Sequence, residues 1–408
     1  MVKFLSGGTP SMAEEKYWNG DIPWVSSGEM TQRKIFSTKA RVTEDGAREG
    51  SKRVPARTVL VVVRGMSLAK EFRVSITARD VTFNQDLKAL LPSKELIPEF
   101  LFYYLLSQNH PIRDSASESA HGTKKLDTQV LEEWPIPLPS NSIQKKVAAI
   151  LSAYDELIEN NQRRIALLEK MAEEIYREWF VRLRFPGHEK VKVIKGLPQG
   201  WRLVKLKDAF KFTGGGTPTK EINRFWDGGE IDWYTPSDIT SAGGIFLQRS
   251  REQCTEEGFN NSSAKLFPAY SVMLTSRATI GAVGINLTPA CTNQGFITCV
   301  PNLQYPMSYL YQWIKLAKPH FELLSGGSTF AELTKGTFSR IEILTPPESI
   351  VTEFARIESP LFKAIENHLG ANRMLIETRD LLLPRLISGK LSVENLDIQF
   401  PPSMKEPA

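Results

Sequence analysis

Cysteine is scarce in this chain, and what there is excludes two architectures. Cys254, Cys291 and Cys299 are odd in number and lack CxxC spacing, so neither a disulfide framework nor a zinc site is expected, only buried or idle thiols. Histidine is equally sparse: His110, His121, His188, His320 and His368 are dispersed, with no HExxH pattern, and no GxSxG marks a nucleophile. The glycines of Thr213-Gly214-Gly215-Gly216-Thr217-Pro218 are not spaced GxGxxG and are followed by no P-loop lysine. Ser388-Gly389-Lys390 resembles a P-loop end, but Pro384 stands where the first glycine is required. Pro346-Pro347 and Pro401-Pro402 lack the flanking Asn and aromatic residue with which an amino-methyltransferase grips a flipped base. Catalysis has no evident seat, and no metal site is expected.

Long apolar runs are missing as well. Nothing approaches the ~18 residues of a membrane span, and Met1-Val2-Lys3-Phe4-Leu5 opens no secretion signal, so the expected setting is cytoplasmic, without a membrane partner. Net charge is modest: 51 basic against 46 acidic side chains leave +5, which permits a polyanionic partner without demanding one. At 408 residues the chain exceeds one ordinary core, and two large domains are the natural expectation.

What the sequence does contain is a copy of itself. Ser6-Gly7-Gly8-Thr9-Pro10 returns as Gly214-Gly215-Gly216-Thr217-Pro218, and Tyr17-Trp18-Asn19-Gly20 with Trp24 returns as Phe225-Trp226-Asp227-Gly228 with Trp233. Asn84-Gln85 is answered by Asn293-Gln294, and Ile158-Glu159-Asn160 by Ile365-Glu366-Asn367. Order and spacing are held throughout, whereas 28–82 and 237–291 have little in common. Shared scaffolds with unlike surfaces are implied.

Each copy closes on a helical pattern. Between 142 and 180 residues apolar but for Asn161 recur at steps of three and four (Ile143, Val147, Ile150, Tyr154, Leu157, then Ile158, Asn161, Ile165, Leu168, Ala172, Ile175, Trp179), a coiled-coil seam with a phase slip at Leu157-Ile158. Such a helix reaches roughly 55–60 Å. The second pattern (Ile350, Phe354, Ile357, Leu361, Ala364, Ile365, His368, Leu375, Leu382) has the same stride, with Pro360 and Pro384 expected to interrupt or end it. Asn161 reads either as a register-setting polar contact or as a surface residue, and His368 as a surface residue. Val59–Val63 and Ile280–Ile285 read as strands, 98–107 and 306–316 as helices.

The fold class expected is therefore α+β: two mixed α/β domains and two long, antiparallel, coiled-coil-like helices in a pseudo-twofold repeat. The divisions are a first domain 1–141, a first spacer helix 142–180, a Pro/Gly linker 181–200, a second domain 201–348, a second helix 349–390 and a tail 391–408. The second domain opens with Trp201-Arg202-Leu203-Val204-Lys205, for which the first has no counterpart; either its start is truncated or another segment fills that place.

Nucleic-acid recognition needs cations for phosphates and polar groups for base edges. The candidates are Thr9, Lys16, Arg64, Lys70, Arg73, Lys124 and Lys125 in the first copy, and Thr217, Lys220, Arg277 and Lys335 in the second. Lys124-Lys125 and Lys335 are expected in equivalent turns. Taken singly, each is more often a solvated charge than a contact. The GGTP segments read as tight turns beside a DNA-facing surface or as purely structural turns. Trp18, Trp24, Trp226 and Trp233 read as packing aromatics, and Asn84-Gln85 and Asn293-Gln294 as loop-fixing amides.

The whole pattern resembles the specificity subunit of type I restriction-modification systems. The resemblance rests on GGTP with its tryptophans, on Gln144-Lys145-Lys146 through Leu157-Ile158-Glu159-Asn160, and on Arg379-Asp380-Leu381-Leu382-Leu383-Pro384-Arg385-Leu386-Ile387-Ser388-Gly389-Lys390-Leu391. It implies two target-recognition domains reading a split, asymmetric site on double-stranded DNA, and paired helices that space them. It also implies two docked modification subunits and further restriction subunits, with S-adenosylmethionine, ATP and Mg²⁺ held by those partners and no cofactor on this chain. The rival readings are a stand-alone DNA-modifying enzyme, which would turn over without partners, and a coiled-coil scaffold, which would not select DNA sequence.

Overall fold

The computed structural model describes the chain except for residues 119–122, 327–330, 402, 403 and 405–408; His121 and Pro402 lie outside the described residues. The chain divides into two compact units, one formed by Met1–Glu159 with Arg373–Ala408, the other by Asn160–Asn372. Among the described residues no helix is long and apolar enough to cross a membrane.

In the first unit a five-stranded sheet runs in the order Val2–Ser6, Leu87–Pro92, Val59–Val62, Val74–Thr77, Lys34–Ile35. The first three pairings are antiparallel and the last is parallel. Val59–Val62 is buried on both faces, as its unbroken apolar run requires. Helix Pro98–Ser107 covers one face with Phe100, Leu101 and Leu105. A second sheet pairs Trp18–Val25 with Arg41–Val42 (antiparallel) and with Val81–Phe83 (parallel).

The second unit has the same topology. Its sheet orders Phe212–Gly214, Phe296–Cys299, Val272–Thr275, Val283–Asn286 and Phe246–Leu247, with three antiparallel pairings followed by a parallel one. Its smaller sheet sets Ile231–Tyr234 between Glu252–Cys254 and Ala290–Thr292. Helix Met307–Leu324 supplies Tyr309, Leu310 and Ile314 to the core. All three cysteines are buried and free, and burial pushes the Cys299 thiol up. Strand Arg202–Lys205 pairs with Glu342–Thr345 in this unit only, among the described residues. In the first unit Val393 of the tail joins the core and Ile398 packs against it, while Lys146 Nζ donates to the Glu394 carbonyl.

The long helices are Asn141–Tyr176, which passes into a wider turn at Arg177–Val181, and Glu348–Ile387. In the first helix Gln144, Leu151, Ile158, Ile165, Ala172 and Trp179 are buried at strict steps of seven. Leu157 is 51% exposed, so the seam runs without the expected phase slip. The second helix repeats the line with Val351, Glu358, Ile365, Asn372, Arg379 and Leu386. It continues through Pro360 and Pro384 instead of breaking at them. Pro360 itself is exposed, and the cost of its lost backbone bond, ~3 kcal/mol in a helix interior, is set against the burial of Phe354, Phe362 and Ile365 on the same helix. Pro384 stands in the last turn, and the helix ends at Gly389 with φ +73 and a Leu391 N–H to Arg385 carbonyl bond.

Polar residues on this second line find specific partners. Arg379 Nη1 donates to Asp155 Oδ1 in the first unit, and Asn161 Nδ2 donates to Asn372 Oδ1 at 2.9 Å in the second, so Asn161 makes a polar contact with the second helix. Glu358 is the exception: it is fully buried, and neither carboxyl oxygen has a hydrogen-bond partner. Burial pushes this carboxyl up to about 8. Because the folded state holds the proton more tightly than the unfolded chain, its stabilising contribution is present below the ordinary Glu range and is lost as pH rises toward 8. Glu358→Gln is expected to flatten the fall in Tm between pH 5 and 8, removing a slope of roughly 1.4 kcal/mol per pH unit. An unaltered slope in the variant would contradict this burial.

Candidate nucleic-acid interface

The GGTP turns are built by close backbone approach. A Cβ at Gly7 would lie 2.3 Å from the carbonyls of Phe83 and Asn84, and one at Gly215 would lie 2.1 Å from those of Thr292 and Asn293. The following glycine donates its N–H in both copies, Gly8 to Phe83 and Gly216 to Thr292, each at 2.9 Å. The next residue is the threonine: Thr9 Oγ1 donates to Gln85 Oε1 at 2.6 Å and Thr217 Oγ1 to Gln294 Oε1 at 2.8 Å. Asn84 Oδ1 accepts from the Asp86 N–H, and Asn293 Oδ1 from the Gly295 N–H. Both amide pairs therefore fix their loops.

The tryptophans complete this frame. Trp18 and Trp24 meet edge to face with centroids 5.2 Å apart, Trp226 and Trp233 at 5.0 Å. Trp24 and Trp233 donate Nε1 to the carbonyls of Gly8 and Gly216; Trp18 and Trp226 do so to Ser11 and Thr219. Each indole braces the turn.

The candidate cations differ in how far they are already engaged. Lys220 Nζ lies 2.5 Å from Glu252 and over both Trp226 and Trp233, which makes it part of the scaffold. Lys16 sits 3.7 Å from Glu14, and Arg73 2.6 Å from Glu71. Arg64, on strand Arg64–Gly65, is exposed and stands opposite Lys125 of strand Lys124–Lys125. Lys124 faces Gly65 on one side and Glu118 on the other, and Lys70 caps the short helix Met66–Ala69 that follows Arg64. Arg64, Lys70, Lys124 and Lys125 form no ion pair with the described residues. The structure thus gathers these four beside one small ladder and leaves Thr9 and Lys16 at the tryptophan-braced turn.

In the second unit Arg277 occupies the place of Arg64, two residues beyond the matching strand. It bridges to Glu332, with Nε 2.9 Å from Oε1. The backbone identifies the match: the Leu126 N–H bonds Val63, and the Leu333 N–H bonds Ser276, both at 2.9 Å. Lys124-Lys125 therefore correspond to Ala331-Glu332 on a ladder, and Lys335 instead begins helix Lys335–Arg340 with its side chain over Gly214. Equivalent turns were expected for these lysines; the ladder pairing replaces that reading. Glu332 was not singled out from the sequence, although the 207-residue offset that aligns the long helices also makes it the counterpart of Lys125.

Comparison with known proteins decides the family. The profile described as type I restriction modification DNA specificity domain matches residues 1–170 and again 198–372. The chain belongs to this family. Its role is DNA specificity in a type I restriction-modification enzyme, not catalysis. Curated relatives include the type I restriction enzyme MjaIX specificity subunit of Methanocaldococcus jannaschii, 27% identical over 96% of this chain and 91% of the relative. The HindI specificity subunit of Haemophilus influenzae is 26% identical over 91% of this chain and 94% of its own length. The crystal structure of a type I S subunit from M. genitalium shares the fold, with a TM-score of 0.59, 18% identity and coverage of 95% and 96%.

The specificity-family frame requires glycine at the two close approaches. Gly215→Ala should lower stability by at least about 3 kcal/mol, read as a drop in Tm, because backbone carbonyls cannot yield as a side chain would. Gly243→Ala, where a Cβ meets nothing within 4 Å, should leave Tm unchanged. Equal melting of the two variants would contradict the frame.

Proposed function

We propose that this specificity subunit reads a bipartite, asymmetric site on double-stranded DNA. Residues 1–141 form one target-recognition domain and 201–348 the other; 181–200 link them and 391–408 form a tail. What carries the reading is the contrast between one topology built twice and the different side chains set on it, Lys125 facing Arg64 in one copy and Glu332 facing Arg277 in the other. A common frame with unlike faces suits two different half-sites. The DNA-facing residues are drawn from Thr9, Lys16, Arg64, Lys70, Arg73, Lys124, Lys125, Thr217, Lys220, Arg277 and Lys335. Those held by intramolecular partners, Lys220 above all, serve by shaping the surface.

In this proposal the helices 142–180 and 349–390 pair antiparallel as a coiled-coil-like spacer in a pseudo-twofold arrangement, holding the readers about one DNA turn apart, roughly 34–36 Å. The part-buried pairs Asp155–Arg379 and Asn161–Asn372 support a fixed register along the spacer. The same helices dock two modification subunits, and restriction subunits join that assembly. S-adenosylmethionine, ATP and Mg²⁺ belong to those partners, and the complex works in the cytoplasm.

Footprinting of the complex with its modification subunits should reveal two protected stretches separated by an unprotected gap; one continuous stretch would overturn the bipartite reading. The chain alone, given DNA, Mg²⁺ and S-adenosylmethionine, should methylate nothing. Removing seven residues from each long helix, about 10 Å, should shorten the gap by about three base pairs and keep both half-site sequences. Altered half-site sequences in that deletion would contradict the spacer.

A further inference from the structure

The matched ladder beside each reader carries opposite electrostatics. In the first unit Arg64 and Lys125 are direct partners across antiparallel strands, so their side chains rise from the same face. Ser117, the neighbour on that face from strand Ser117–Glu118, brings no charge, while Glu118 lies opposite Lys124 on the other face. Two cations set opposite each other repel, and neither is relieved by an ion pair with a described residue. In the second unit the same backbone bridge sets Glu332 against Arg277, and the pair neutralises itself at 2.9 Å.

From this, and resting on the DNA-recognition reading above, we infer that the two readers carry unequal electrostatic load. Arg64 and Lys125 clamp backbone phosphate beside the first half-site, whereas Arg277 is withheld from phosphate by Glu332. A phosphate between Arg64 and Lys125 relieves their mutual repulsion, so the ligand is the sequence-independent part of the duplex. The second reader then depends on base-edge and shape contacts. The first half-site supplies the salt-sensitive share of affinity.

The test is the salt dependence of binding, measured with the full chain and its modification subunits. The probes are a duplex carrying the methylated site and a scrambled duplex of equal length. Each phosphate contact contributes about 0.9 to the slope of log K against log salt concentration. Arg64→Gln and Lys125→Gln should each weaken binding to both duplexes alike and lower the slope by about 1. Arg277→Gln should leave the slope unchanged, and Glu332→Gln should tighten binding and steepen it by about 1. Melting curves matching the parent's would show that these variants fold. Binding with an unmoved slope in Arg64→Gln and Lys125→Gln, or a loss in Arg277→Gln as large as theirs, would overturn the inference alone. Failure of the parent complex to bind either duplex would overturn the DNA-recognition reading, and the inference with it.

Discussion

Both units depend on one close contact, the backbone of a glycine turn pressed against two successive carbonyls of a neighbouring strand end. No side chain fits at Gly7 or Gly215, so the following glycine can donate its N–H and the next threonine can reach its glutamine. An edge-to-face tryptophan pair locks the turn from outside by donating to its carbonyls. These bonds use backbone and matched residues only. The frame is consequently indifferent to what stands on the ladder two residues past the central strand, which frees that ladder to differ.

The long helices follow a related logic. Their buried lines run at intervals of seven, but one is almost wholly apolar while the other contains Glu358, Asn372 and Arg379. An apolar seam alone tolerates sliding by a turn; a guanidinium that must meet Asp155 and an amide that must meet Asn161 do not. Desolvating these groups costs stability, and Glu358, left without a partner, bears that cost uncompensated. In the proposed spacer such a seam secures register rather than maximal stability.

Much of this was legible in the sequence because it is local or repeated. The glycine turns, the tryptophans, the helix Pro98–Ser107 and the strand Val59–Val62 followed from spacing, side-chain type and the internal offset. Features that depend on distant pairing were not. Leu157 fits the stride of three and four yet stands 51% exposed while Ile158 is buried, and Pro360 looks like a break yet lies exposed within an unbroken helix that buries Phe354, Phe362 and Ile365. The pairing of Arg277 with Glu332 hides behind 54 intervening residues, and single charges in a sequence carry no sign of what faces them. Basic residues were therefore easy to nominate, whereas Lys220, held by Glu252 and two indoles, could be told apart only in three dimensions.

The central claim is that each unit is an independent reader mounted on a common frame. A chimaera in which residues 201–348 are replaced by the matching domain of another specificity subunit tests it most directly, with methylated positions mapped across the genome of a host expressing the complex. The account predicts that one half-site changes while the other half-site and the gap persist. A change in both half-sites, or in neither, would contradict it.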